Sequence, residues 1–139
     1  YTSIKRNASK VLSSQMKLNK NQAKNIKLLT ELVDPAIKVL SDNNISLNLF
    51  GKILHRSWEI KRKVNNKISN QIIDNCYLKA IKQGARGGKI LGAGNGGFFL
   101  FYIENQNKKK LSKSLNFLKN LKFKFDTKGT SVTYNDQKR

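Results

Sequence analysis

Seven of the nine glycines in this 139-residue chain fall within fourteen positions, from Gly84 to Gly97. Each glycine loses more backbone freedom on folding than any other residue. A cluster therefore implies a local demand for positive φ angles or for close approach of the backbone to another group. The cluster also divides the chain. Before it, apolar residues recur at spacings of three and four; after it, they come in short continuous or alternating runs.

Ile4, Ala8, Val11 and Leu12 predict a helix over residues 4–16. Ile26, Leu29, Val33, Ala36, Ile37 and Leu40 predict a second, continuous through Pro35, where the proline removes one backbone bond and kinks the helix without ending it. Asn43 and Asn44 close it. Ser46 is a candidate cap for a third helix, with Leu49, Phe50, Ile53, Leu54 and Trp58 inward and Lys52, Glu59, Arg62 and Lys63 outward. A fourth starts at Asn70, turns Ile72, Ile73, Cys76, Tyr77, Ala80 and Ile81 inward, and stops at Gly84.

Beyond the glycines, residues 89–91 and 98–103 read as strands. Leu111, Leu115 and Leu118 restore helical spacing over 108–120, and 122–126 and 131–134 alternate polar and apolar around Gly129. The order predicts a single α+β domain spanning 1–139. A four-helix layer (1–84) packs on a mostly antiparallel four-stranded sheet with one further helix (85–139).

The chain carries 28 Lys+Arg against 8 Asp+Glu, a net charge of +20. Such a balance suggests a nucleic-acid partner, and a basic α+β module that binds RNA or DNA is the main alternative reading from another functional class. Its make-up argues against that reading. There are 23 Lys to 5 Arg, Lys108, Lys109 and Lys110 form the one run of three, and Arg is the residue suited to bidentate contacts. Most of the Lys read as solvated surface.

No apolar run approaches the length of roughly 20 residues that a membrane span needs. The lone Cys76 permits no internal disulfide and, with a single His, no zinc site; it reads as a small core residue in a reducing, cytoplasmic setting. The chain begins at Tyr1 without an initiator Met, so a piece of a longer protein is expected.

Gly92, Gly94 and Gly97 match G-x-G-x-x-G, but the residues that follow, Phe98 to Tyr102, read as strand where a dinucleotide site needs a helix. A Walker A loop fails as well, because Gly88-Lys89 is followed by Ile90. Two readings of the loop stand: a nest of backbone N–H groups that cradles phosphate oxygens, or a tight hairpin whose glycines relieve steric clash.

The segment 84–102 resembles the third conserved motif of the GHMP family of small-molecule kinases, a strand, a loop of the Gly-Ala-Gly-Gly-Gly-Gly type and a second strand. The resemblance extends through Leu54-His55-Arg56-Ser57-Trp58-Glu59-Ile60-Lys61-Arg62, Ile68-Ser69-Asn70 with Ile73-Asp74, and Gly129-Thr130-Ser131-Val132. Together with Ala8-Ser9-Lys10-Val11-Leu12 these are similar to the C-terminal, ferredoxin-like domain of bacterial heptose 7-phosphate kinases. The resemblance implies phosphoryl transfer from ATP, with Mg2+, to the anomeric hydroxyl of a sugar phosphate such as D-glycero-D-manno-heptose 7-phosphate. It also implies an N-terminal domain that carries the main phosphate loop and the catalytic acid. No Pro-x-x-x-Gly-Leu-Gly-Ser-Ser loop occurs in these residues, so the 139 residues alone are expected to be inactive and to contain no catalytic residue and no metal ligand.

On this resemblance Gly92, Ala93, Gly94, Asn95, Gly96 and Gly97 form the phosphate or substrate loop, with Asn95 standing where the family usually has glycine. Trp58 and Lys61, three apart near one helix face, are candidate substrate contacts, against the alternative of a core Trp beside a solvated Lys. Arg86 and Lys89 flank the loop as sources of positive potential. His55 and Glu59, one turn apart, read as surface hydrogen bonding, and Phe98, Phe99 and Phe101 as core and sheet packing.

Overall fold

The structure, a computed structural model, describes residues 1–2, 20–92 and 94–131. The helix expected over 4–16 lies outside these residues. The element order is α1 (Lys20–Thr30), α2 (Val33–Ser41), α3 (Leu47–Val64), α4 (Gln71–Lys82), β1 (Ala85–Ile90), β2 (Phe99–Ile103) and α5 (Asn105–Ser114).

Pro35 breaks the expectation of one kinked helix. The helix ends at Thr30, the chain turns through Glu31 and Leu32, and α2 restarts at Val33, which puts Pro35 in its first turn. The first four N–H groups of a helix have no intrahelical acceptor, so a proline there removes no bond. The stripe expected to face inward is correspondingly loose. Val39 is the buried residue of α2, while Val33, Ile37 and Leu40 are about half exposed and form, with Leu29, Phe50 and Leu54, a shallow apolar groove along α3.

Ser46 caps α3 as expected, its Oγ accepting from the Asn48 N–H. The buried face is rotated from the expected one: Gly51, Trp58, Ile60 and Val64 are buried, and Leu49 is exposed. The reason is Gly51. Its lack of a side chain lets β1 lie directly on the helix backbone. A Cβ on Gly87 would collide with the Gly51 carbonyl oxygen, and one on Gly51 with Arg86. Strand β1 therefore starts at Ala85, earlier than the expected 89–91, and contains Gly87 and Gly88 because close approach needs them there.

Strands β1 and β2 form an antiparallel hairpin with Gly87 opposite Tyr102, Lys89 opposite Leu100 and Ile90 opposite Phe99; a bulge lies between Ala85 and Gly87. The expected four-stranded sheet is a two-stranded sheet among the described residues. Residues 122–126 are exposed and form no strand, Phe125 being 88% exposed, so the alternation there has no apolar face to pack on. Most of 131–134 lies outside the described residues. Helix α5 starts at Asn105 and ends at Ser114 instead of spanning 108–120; Leu115 follows it into the core. Lys108, Lys109 and Lys110 are exposed on it.

Asn70 caps α4, which buries Ile73, Cys76, Tyr77 and Ala80; Ile72, expected inward, is exposed. Gly84, at φ 93°, turns the chain out of α4. Two joined clusters make the core: Trp58, Val64, Ile68, Ile73, Tyr77 and Ile90 on one side, and Cys76, Ala80, Ala85 and Leu115 on the other, with Phe99 and Phe101 packed against both. Phe98, expected in the core, is 42% exposed and packs on the ring of Tyr1. Burial pushes the Cys76 thiol up, opposed by nearby Lys79.

Candidate functional site

The glycine loop joins β1 to β2. It is closed at its base by the Leu91 N–H donating to the Phe98 carbonyl at 2.8 Å. Between them φ is positive at Gly92 (83°), Gly94 (101°), Asn95 (58°), Gly96 (148°) and Gly97 (111°). Side-chain-bearing residues rarely adopt this region, which accounts for the glycine content of 92–97. Ala93 lies outside the described residues. The cluster read in sequence as one feature thus has two jobs: Gly87 and Gly88 let the strand pack closely, and 92–97 shape the loop.

Residues far apart in sequence brace this loop. Lys61, near the end of α3, directs its Nζ to the Gly92 carbonyl at 3.3 Å. The Asn95 N–H donates to the Ile68 carbonyl at 2.6 Å, and Gly94 packs so closely that a Cβ would lie 2.7 Å from the Ile68 oxygen. Asn70 Nδ2 donates to Asn95 Oδ1 at 2.6 Å. On the other limb the Thr2 N–H donates to the Gly97 carbonyl and the Gly97 N–H to Thr2 Oγ1, both at 2.9 Å. Gly94 and Gly96 are buried under these contacts, while Gly92 is exposed.

The sequence-predicted site residues separate into two groups. Lys61 joins the loop. Trp58, three residues earlier, is fully buried between Val64, Ile68, Tyr77 and Ile90, and its Nε1–H meets no acceptor among the described residues. Arg86 sits at the far end of β1 and closes a two-pronged contact on Glu104 Oε1, at 3.2 Å from Nε and 2.8 Å from Nη2. Those hydrogen bonds and the Arg86 charge hold the Glu104 carboxyl below its ordinary value. Lys89 is half-buried near the loop end of β1, opposite Leu100.

Sequence reasoning missed Thr2, the Ile68 carbonyl and the part Asn70 plays at the loop. Asn70 was legible as a helix cap; its second contact joins residues 25 apart and leaves no local pattern. Chemically, the site gathers a lysine ammonium, an asparagine amide and backbone N–H groups; the donors named brace the loop from within, and the Lys61 ammonium adds positive charge beside it. Such a set suits an anion. Among the described residues no group of three or more His, Cys, Asp and Glu is placed to hold a metal ion.

No family model matches the chain. Over 116 residues, 83% of the chain, it is 30% identical to D-glycero-alpha-D-manno-heptose 7-phosphate kinase of Campylobacter jejuni subsp. jejuni, and it spans 34% of that relative's length. This is a GHMP-kinase-like domain. The fold agrees. The crystal structure of L. major mevalonate kinase in complex with R-mevalonate superposes with a TM-score of 0.68 at 21% identity, over 82% of this chain and 35% of that one. The GHMP-kinase-like domain therefore matches about a third of each of the two kinases. Among its described residues no helix is long and apolar enough to cross a membrane.

Proposed function

We propose that this GHMP-kinase-like domain is the C-terminal part of an ATP-dependent sugar kinase that phosphorylates the anomeric hydroxyl of a sugar phosphate such as D-glycero-D-manno-heptose 7-phosphate. The observation that carries the reading is the match to a heptose 7-phosphate kinase over 83% of the chain, joined to a loop with five positive-φ positions and Lys61 beside it. Phosphoryl transfer depends chiefly on positioning and on stabilising spread negative charge, and donors around a glycine loop serve both.

In this reading residues 1–139 form one domain that completes a cleft. Lys61 and the 92–97 backbone face phosphate oxygens of the sugar phosphate or of ATP. Mg2+ takes oxygen ligands, chiefly carboxylates and waters. The loop's braces are an ammonium, amides and backbone groups, a set that does not fit it. The metal, the main phosphate loop and the catalytic acid are assigned to an N-terminal domain, and the enzyme to the cytoplasm.

The test is an assay of the full-length protein with ATP and D-glycero-D-manno-heptose 7-phosphate, following ADP release and product by phosphorus NMR. Saturable ADP release with phosphate on the anomeric oxygen is expected, and none from the 139-residue chain alone. Absence of turnover across a panel of sugar phosphates, with salt-dependent binding to generic RNA or DNA at physiological ionic strength, would establish the nucleic-acid module instead.

A further inference from the structure

Asn95 is the one described position of the loop that combines a positive φ with a side chain. A glycine would take φ 58° at lower steric cost, so conformation alone gives no reason for an asparagine there. Its side chain has a partner. Asn95 Oδ1 accepts from Asn70 Nδ2 at 2.6 Å, while Asn70 Oδ1 accepts from the Ile73 N–H at 3.0 Å. One amide thus caps α4 with its oxygen and holds the loop with its nitrogen.

The cap orients the latch. Because Asn70 Oδ1 is committed to Ile73, Nδ2 is left facing the loop, and Asn95 presents the acceptor. The Asn95 N–H on the Ile68 carbonyl and the close seat of Gly94 on Ile68 bring the backbone to the same short segment between α3 and α4. Glycines visit both signs of φ, so a loop of glycines alone samples many shapes. The asparagine pair selects one of them.

We propose that Asn70 and Asn95 form a latch that fixes the shape of the glycine loop before ligand arrives, making both positioning residues for a phosphoryl group bound at 94–97. The phosphoryl part of this inference rests on the kinase reading above; the latch itself does not.

The experiment compares the full-length protein with Asn95→Gly, Asn70→Ser and the double variant, by amide hydrogen exchange and by calorimetric titration with ATP. Serine keeps a capping oxygen for Ile73 and removes the donor to Asn95. Each single variant is expected to speed exchange at 94–97 about tenfold, equivalent to about 1.4 kcal/mol, the size of one net hydrogen bond. The N-terminal amides of α4 stay protected, and the double variant goes no further than the singles because both remove the same bond. Asn95→Asp, which keeps an acceptor for Asn70, restores protection. ATP affinity falls about tenfold in Asn95→Gly, the converted value of the same bond. Loop exchange unchanged in both singles overturns the latch. Faster exchange with unchanged ATP affinity overturns the positioning role. Failure of the natural protein to bind ATP overturns the kinase reading, and with it the phosphoryl part, while the exchange data still decide the latch.

Discussion

His55 Nδ1 lies 2.7 Å from the hydroxyl of Tyr77, and the two rings stack with centroids 5.8 Å apart. The Gly88 backbone also bonds that hydroxyl, and which of His55 and Tyr77 donates depends on the imidazole tautomer. Nε2 of the same ring lies 3.7 Å from Glu59 Oε1. The contact ties α3, α4 and β1 together one turn from the buried Trp58.

Burial raises the Tyr77 phenol from the ordinary 10.0 to about 12, opposed by the Gly88 hydrogen bond and by Arg62 and reinforced by Glu59. Above pH 10 the unfolded chain loses the phenolic proton that the folded chain keeps, so the unfolded state binds fewer protons and stability falls as pH rises. The contribution is complete below pH 10 and is lost between 10 and about 12, a change of roughly 3 kcal/mol at 1.36 kcal/mol per unit. Urea melts of the natural protein and Tyr77→Phe across pH 8–12 check it: the phenylalanine variant shows the shallower decline.

Gly87→Ala is expected to cost about 3 kcal/mol or more, since its methyl meets the Gly51 carbonyl and the His55 N–H, both backbone that cannot step aside. Gly51→Ala meets the Arg86 Cβ, which moves only with the β1 backbone, and the Tyr102 ring, which can turn, and costs about 2–3 kcal/mol. Denaturant midpoints at constant m-value measure the ordering.

Trp58 is fully buried with an Nε1–H that finds no acceptor among the described residues. Trp58→Phe removes that unmade bond along with some volume, and the two effects offset to within about 1.5 kcal/mol. Trp58→Ala, which empties the site, costs about 3–5 kcal/mol. Chemical denaturation of both variants tests the contrast.

On the proposed kinase reading, Lys61→Met in the full-length protein is expected to raise the KM for sugar phosphate or ATP about tenfold, the size of one charge-assisted hydrogen bond, with kcat little changed. The methylene stem is retained, so the melting temperature stays within about 2 °C. A fall in kcat at unchanged KM contradicts a ground-state contact.

Much of the helical layer was legible because its signals are local. Ser46 and Asn70 have side chains that cap their own helices, and the spacing of Ile73, Cys76, Tyr77 and Ala80 marks one face. Pro35 misled because its position within a helix, not its presence, decides whether it breaks one. The buried face of α3 was misjudged because Gly51 carries no hydrophobic signal, yet it faces β1 for the lack of a side chain. At the site, the glycines of 92–97 announced their own backbone angles. Lys61, Ile68 and Asn70 meet them across 31, 27 and 25 residues, and only tertiary packing brings such partners together.

The bare contact of Gly51 with Gly87 acts as a fulcrum. From it α3 runs ten residues to Lys61, about 15 Å at the helical rise, and β1 with the two residues after it runs five residues to Gly92, at most about 16 Å at the strand rise. Two arms of near-equal length leave one pivot and meet again at the lysine–carbonyl contact. Reach along each arm is quantised by its own rise, so inserting or deleting one residue shifts the tip about 1.5 Å along the helix and turns Lys61 about 100° away, or shifts it about 3.3 Å along the strand and onto the opposite face. The spacings 51–61 and 87–92 are therefore a matched pair, and a change in one calls for a change in the other.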